Sequence, residues 1–126
     1  MDRSELLSSL KLDRFIAFDF ETTGLQVETD RAIEVAAIMF KDGKPAEKFV
    51  TLINPQIPIS DLIADITGIT NEMVAESPFE KEIIDDLFEF LGDYPIVAHN
   101  TPFDLSFLRA MAERHNKDFI ERKCYD

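Results

Sequence analysis

An α/β fold, in which a mixed sheet of three antiparallel strands and then a parallel strand is flanked by helices, is the class predicted by the 126-residue sequence. Three observations carry this expectation. FIAFDFE, residues 15–21, alternates, with Ile16, Phe18 and Phe20 on one side and Phe15, Ala17, Asp19 and Glu21 on the other. AIEVAAIMF (32–40) and EKFVTLINP (47–55) are two further strands joined by the tight turn KDGK, which makes an antiparallel meander. After them come a helix, a short apolar run and a second helix, the order of a crossover onto a mixed sheet.

The remaining elements follow from capping and turn chemistry. SELLSSLK, residues 4–11, is an amphipathic turn of helix ahead of the domain, so residues 1–12 are expected as an extension or linker and 13–126 as a single domain. PQIPISDLIADITGITNEMVAESP (55–78) is a loop with short helical pieces. Ser77, Pro78 and Glu80 form a capping-box start for a helix reaching about Leu91, where Gly92 stops it. PIVAH (95–99) is a buried strand, and Thr101, Pro102 and Asp104 repeat the capping pattern for a helix through about His115.

Composition narrows the function classes. Lys and Arg number 13 against 25 Asp and Glu, a net charge of −12. Such a surface disfavours non-specific binding to a phosphate backbone and favours a protein partner or a small ligand. Carboxylates gathered around divalent cations are the exception, since a metallated acid cluster attracts phosphate. No membrane-spanning run and no basic-then-apolar leader is present in the sequence, so an intracellular, cytoplasmic protein without a membrane partner is expected. The single cysteine, Cys124, allows no internal disulfide and reads as a small core residue.

The strand at 15–21 carries the first chemical signal. Asp19 and Glu21 leave one face with Cα atoms about 7 Å apart, a spacing that suits two hard cations about 4 Å apart in phosphoryl displacement. The competing reading is a plain solvent-exposed face. Phe15 and Ala17 on the same face suggest instead that it is covered, and buried acids need cations or basic partners. Thr22, Thr23 and Gly24 then form a turn beside the acids, either an ordinary turn or one that admits a nucleotide closely. Asp104 is explained equally well as a helix cap; SPFE at 77–80 has the same pattern as TPFD at 101–104 without other marks of a site. What separates the two is that Asp104 follows a buried strand. If that strand lies parallel beside residues 15–21, the helix start at 102 faces Asp19 and Glu21.

At these residues the chain resembles a known family. FDFETTGL (18–25) resembles the first motif of the DEDD, or DnaQ-like, 3′-to-5′ exonucleases, and HNTPFDLSFL (99–108) resembles their second, Asn-x-x-Phe-Asp. DRAIEVAAI and ITGITNEMV are similar to the joining segments of proofreading domains such as the epsilon subunit of DNA polymerase III. The resemblance runs from about Phe15 to Asp126 and implies a ribonuclease H-like fold. It implies catalytic, metal-binding carboxylates at Asp19, Glu21 and Asp104, holding two Mg²⁺ or Mn²⁺ ions. Thr22, Thr23, Gly24 and Leu25 would line a pocket for the terminal nucleotide, with Leu25 against its base. Phe103 would lie near the terminal sugar, and Asn100 is grouped with it as substrate-binding, while His99 and Asn100 hold the strand–helix junction. The implied substrate is the 3′ end of single-stranded DNA, with RNA left open, and the implied partner a DNA polymerase or helicase in replication.

The chain also departs from that family's pattern. The third motif carries a fourth carboxylate with a histidine five residues before it, and no His-x4-Asp element follows Asp104: His115 is followed five residues later by Ile120. The expectation is a domain incomplete at its carboxyl end, poor in activity without its general base, a group worth roughly 10²–10⁴ in rate. It would also leave sheet surface uncovered, favouring association or marginal stability. The alternative function is a catalytically impaired module of the same fold that binds nucleic acid or a protein.

Overall fold

The computed structural model describes residues 13–126. The helix expected at 4–11 lies outside the described residues. Strands β1 (Arg14–Thr22), β2 (Ala32–Lys41) and β3 (Lys44–Leu52) form the expected antiparallel meander. Asp42 and Gly43 make the link between β2 and β3 at φ of 52° and 81°. Two successive positive φ values give a turn whose twist matches that of the flanking strands, and an Asp-Gly pair tolerates them. Helices follow at α1 (Asp61–Thr67), α2 (Asn71–Val74), α3 (Glu80–Leu91) and α4 (Thr101–Arg114).

The sheet order is β3-β2-β1-β4-β5. Strand β4 is only Ile96–Val97, parallel to β1 through Ile16 and Ala17, and β5 (Cys124–Tyr125) lies parallel to β4. β5 has no counterpart in the sequence-based expectation, because two residues have no periodicity to read. Its register holds Cys124, half-buried, against the main core.

Ile16, Phe18 and Phe20 of β1 and Val35 and Ala37 of β2 are buried beneath Ile84, Leu87 and Leu91 of α3 and Leu105, Phe107, Leu108 and Met111 of α4. Both long helices therefore cover one face. The expectation that Phe15 and Ala17 mark a covered acid face is corrected: these two are half-buried and Asp19 is exposed. Phe15 finds its contact within the sheet, stacked on Phe40 at 5.2 Å. A smaller apolar cluster of Ile33, Ile59, Ile69 and Val74 anchors α1 and α2 at the end of the sheet.

Two helix starts differ from the sequence reading. Phe79, not Ser77, is the N-cap of α3, and its N–H donates to Glu82 Oε1 at 2.9 Å. The Asn54 N–H donates to the Pro78 carbonyl at 2.8 Å and Asn54 bridges Phe79, which keeps 78–79 extended and delays the helix. Glu80 is left free to pair with Arg114, its Oε1 2.6 Å from Nη2, tying the start of α3 to the end of α4. In α4, Asn100 is the N-cap and Thr101 the first helical residue.

Arg122 fastens the segment that becomes β5. Its Nη1 donates to the Leu91 and Tyr94 carbonyls at 3.0 and 3.3 Å, and its Nε donates to the Ile120 carbonyl at 3.0 Å. The guanidinium also lies 5.2 Å from the centre of the Phe119 ring. Burial is the main influence that lowers its pKa. Arg122→Ala takes the Nη1 donor from the Leu91 and Tyr94 carbonyls, of which Leu91 keeps the Tyr94 N–H, and is expected to cost about 2 kcal/mol, measured by urea unfolding; a loss under about 0.5 kcal/mol would show the clamp to be idle. Among the described residues no helix is long and apolar enough to cross a membrane.

Candidate active site

Past Ala17, β1 has no partner on its β4 side, because β4 ends at Val97. The backbone groups of β1 beyond that point need other partners. Asp104 supplies one: its Oδ1 accepts the Phe20 N–H at 3.0 Å, across 84 residues of sequence. The capping reading of Asp104 thus gives way to a long-range contact that brings the first turn of α4 against β1 between Asp19 and Glu21. Ligands in α/β sheets lodge in such crevices, where neighbouring strands diverge at their carboxyl ends.

The three carboxylates share an environment without a basic partner beyond His99. Asp104 is 4% exposed. Burial, followed by the charge of Asp19, pushes its pKa up to about 6, against the opposing hydrogen bond from Phe20 and the charge of His99. Asp19 is raised by partial burial, with His99 pulling the other way. Glu21 is raised by burial first and then by Asp19, Glu34 and Asp104. The acid whose burial calls for a counter-charge is therefore Asp104 on the helix, not the strand pair. Hard oxygen donors left in mutual repulsion fit a divalent cation in kind. Among the described residues, no three His, Cys, Asp or Glu side chains stand close enough to enclose a metal ion directly. The cluster is pre-arranged by the fold and not pre-closed.

Thr22, Thr23, Gly24, Leu25 and Phe103 line one cavity of about 540 Å³, together with Glu21 and residues of α1. Its apolar wall is Leu25, 80% exposed, with Leu62 and Ile66 at 67% and 69% and Ile63 beside them. Sequence reasoning missed the contribution of α1. The available signal was a seven-residue helix with apolar residues at i and i+4 beyond what its packing needs, since Ile63 and Ala64 already serve the small cluster. Phe103 is half-buried, with its ring 4.9 Å from Phe107, which fixes it between core and cavity.

Asn100 and His99 are exposed and do not line this cavity. The Asn100 carbonyl accepts the N–H groups of Phe103 and Asp104 and so opens the helix. Asn100 thus takes part in the strand–helix junction through its backbone, and Thr101, outside the expectation, ties that junction to β5. The Thr101 hydroxyl donates to the Tyr125 carbonyl and its N–H to Asp126 Oδ1, both at 2.8 Å.

Comparison with known proteins accords with this architecture. DNA polymerase III of PolC type from Caldanaerobacter subterraneus subsp. tengcongensis is 42% identical over 100 residues, 79% of this chain and 7% of the polymerase. The PolC-type enzyme of Latilactobacillus sakei is 38% identical over 124 residues, 98% of this chain and 8% of the polymerase. The chain thus spans less than a tenth of the length of these relatives. Among solved structures, E. coli exonuclease I in complex with a dA16 oligonucleotide superposes with a TM-score of 0.79 at 21% identity, over 90% of this chain and 27% of that one. Exonuclease I from Methylocaldum szegediense gives 0.76 at 23% identity, over 90% and 27%. The sequence profile of the RNase_T family, described as an exonuclease, matches residues 16–125, and with its ribonuclease H-like sheet the chain belongs to that DEDD-type exonuclease family.

Proposed function

We propose that this domain is a metal-dependent 3′-to-5′ exonuclease that releases nucleoside monophosphates from the 3′ end of single-stranded DNA. The observation that carries this reading is the Asp104 carboxylate bonded to the backbone of β1 between Asp19 and Glu21, next to Phe20, Glu21 and Phe103, which line a cavity sized for a nucleotide. Pockets of roughly 300–1,000 Å³ hold small ligands.

Asp19, Glu21 and Asp104 would hold two Mg²⁺ or Mn²⁺ ions, which supply a neutralised phosphate and an activated water at the scissile bond. The side chains divide the remaining work. Leu25, Leu62 and Ile66 remove the terminal base from water, Phe103 backs its sugar, and Gly24 lets the strand approach the backbone. His99 lowers the pKa values of Asp19 and Asp104 by its charge, which favours their ionised, cation-binding forms. Similarity to a stretch of DNA polymerase III of PolC type supports proofreading as the proposed setting, with such a polymerase as the proposed partner.

The test is the incubation of 5′-labelled single-stranded DNA with the wild-type chain and with Asp19→Ala in millimolar Mn²⁺. The wild type is expected to shorten the label stepwise from the 3′ end, and Asp19→Ala to be slower by about 10³-fold or more. Equal rates in both would remove the metal-site assignment. Binding of the DNA by both chains with no shortening by either would favour the second reading, an impaired binding module.

A further inference from the structure

Asp30, the first residue of DRAIEVAAI, is not among the candidate site residues, yet its carboxylate sits beneath the turn that frames the cavity. Its Oδ1 accepts the Thr23 hydroxyl at 2.9 Å and its Oδ2 accepts the Gln26 N–H at 2.9 Å. Thr23 Oγ1 in turn accepts the Arg31 N–H at 3.0 Å, and the Thr23 N–H donates to the Arg31 carbonyl at 2.8 Å. The Asp30 N–H returns to the Gln26 carbonyl at 2.7 Å, and Arg31 Nη1 donates to the Asp30 carbonyl at 2.9 Å. Residues 23–31 therefore close into a loop whose ends are tied by the backbone and hydroxyl of Thr23 to Arg31, while the Asp30 carboxylate braces Thr23 and Gln26 from within.

Gly24 is part of this fit. A Cβ added there would lie 2.4 Å from Asp30 Oδ2, so the absence of a side chain is what lets the carboxylate come under the turn. The loop stands between bonded ends and carries Leu25 out into solvent, 80% exposed, on the wall of the cavity. An apolar side chain so exposed gains nothing from packing where it is. Its position is set by the backbone on either side, Gly24 and Gln26, and Asp30 contacts both.

We propose that Asp30 is a positioning residue for the terminal nucleotide, holding the Thr23–Gln26 turn so that Leu25 and the Gly24 backbone stand ready to receive it. The inference rests on the reading of this cavity as the nucleotide pocket. Asp30 does not touch the nucleotide. It removes the need to order the loop on binding, and that ordering would otherwise weaken affinity. Asparagine can keep the same connections, its oxygen accepting from Gln26 and its amide donating to Thr23. Alanine keeps none of them.

The experiment measures binding of Mn²⁺ alone, and of thymidine 5′-monophosphate in saturating Mn²⁺, by calorimetry on the full chain, with circular dichroism to confirm folding. For Asp30→Ala, Mn²⁺ affinity is expected to match the wild type while mononucleotide affinity falls roughly 10- to 100-fold. Asp30→Asn is expected to restore mononucleotide binding to within about threefold. Asp19→Ala, by contrast, loses both ligands together. Unchanged mononucleotide binding in Asp30→Ala would overturn the proposal. So would a parallel loss of Mn²⁺ and mononucleotide that Asp30→Asn fails to restore, which marks Asp30 as a brace of the fold only. A wild-type chain that binds Mn²⁺ but no mononucleotide would refute the nucleotide pocket itself, and this proposal with it.

Discussion

Asp104→Asn is expected to melt higher than the wild-type chain at pH 7.5 and to lose its response to Mn²⁺. The carboxylate is buried and has no basic partner except His99, and burial followed by the Asp19 charge raises its pKa to about 6 from an ordinary 3.8. The sign follows from linkage. An acid whose pKa is raised by folding binds more protons in the native than in the unfolded state between those values, so stability falls as pH rises from about 4 through about 6. Above that window the whole cost is present. A shift of about two units corresponds to an upper bound near 3 kcal/mol; on the order of 2 kcal/mol is expected once coupling to Asp19 is allowed for.

Asparagine is isosteric, and its oxygen can keep the Phe20 N–H bond while removing one charge from the cluster. A gain of that size raises the melting temperature of a domain this small by roughly 5–10 °C. Three melts check it. The wild type should gain stability on acidification from pH 7.5 to about 5, Asp104→Asn should gain much less, and millimolar Mn²⁺ should stabilise the wild type alone. A variant that melts below the wild type at pH 7.5 would show that the buried charge is not a liability. A buried acid kept where it destabilises the metal-free fold is the trade expected of a functional site.

Phe107→Ala is the second large effect, expected to cost about 3–5 kcal/mol, a sizeable share of a total that for such domains is about 5–15 kcal/mol. Phe107 is fully buried in the main core and braces Phe103 on the preceding turn. It lies one turn beyond Asp104, so the cavity left by its ring loosens the part of α4 that carries the acid. Leu91→Ala is the control, equally buried but at the far end of α3, remote from the site. In urea unfolding both should lose stability, Phe107→Ala the more. Under conditions where each variant remains folded, only Phe107→Ala should also weaken Mn²⁺ binding. Equal Mn²⁺ affinity in the two variants would separate core packing from the geometry of the site.

The meander was legible because its signals are local. Period-two alternation assigns Ile16, Phe18 and Phe20 to the core, and Asp-Gly at 42–43 supplies the two positive φ values that a tight hairpin needs. The acids of β1 were legible for the same reason, since two residues two apart on a strand must share a face. The helix starts were not. TPFD and SPFE are the same local sequence, and both fit a capping box, yet neither acid caps in that way: Asp104 bonds to Phe20 and Glu80 to Arg114. A short polar side chain at a helix start has a local and a distant partner of similar worth, and only the neighbour brought by the fold selects between them. Strand β5, the apolar wall from α1 and the Asp30 support were hidden likewise, because each consists of partners far apart in sequence or of a loop closing on itself.

By itself the sequence determined the sheet's first three strands, the two carboxylates on β1 and the motifs that join them to Asp104. Only the tertiary structure decided which acid is buried, that the acid face of the sheet stays half open, and that the short β4 leaves the edge of β1 unpaired. The physical reason is that an unpaired backbone N–H must find an acceptor, and Asp104 answers that of Phe20. This bond between chain segments 84 residues apart brings a buried third carboxylate to the strand that carries the other two.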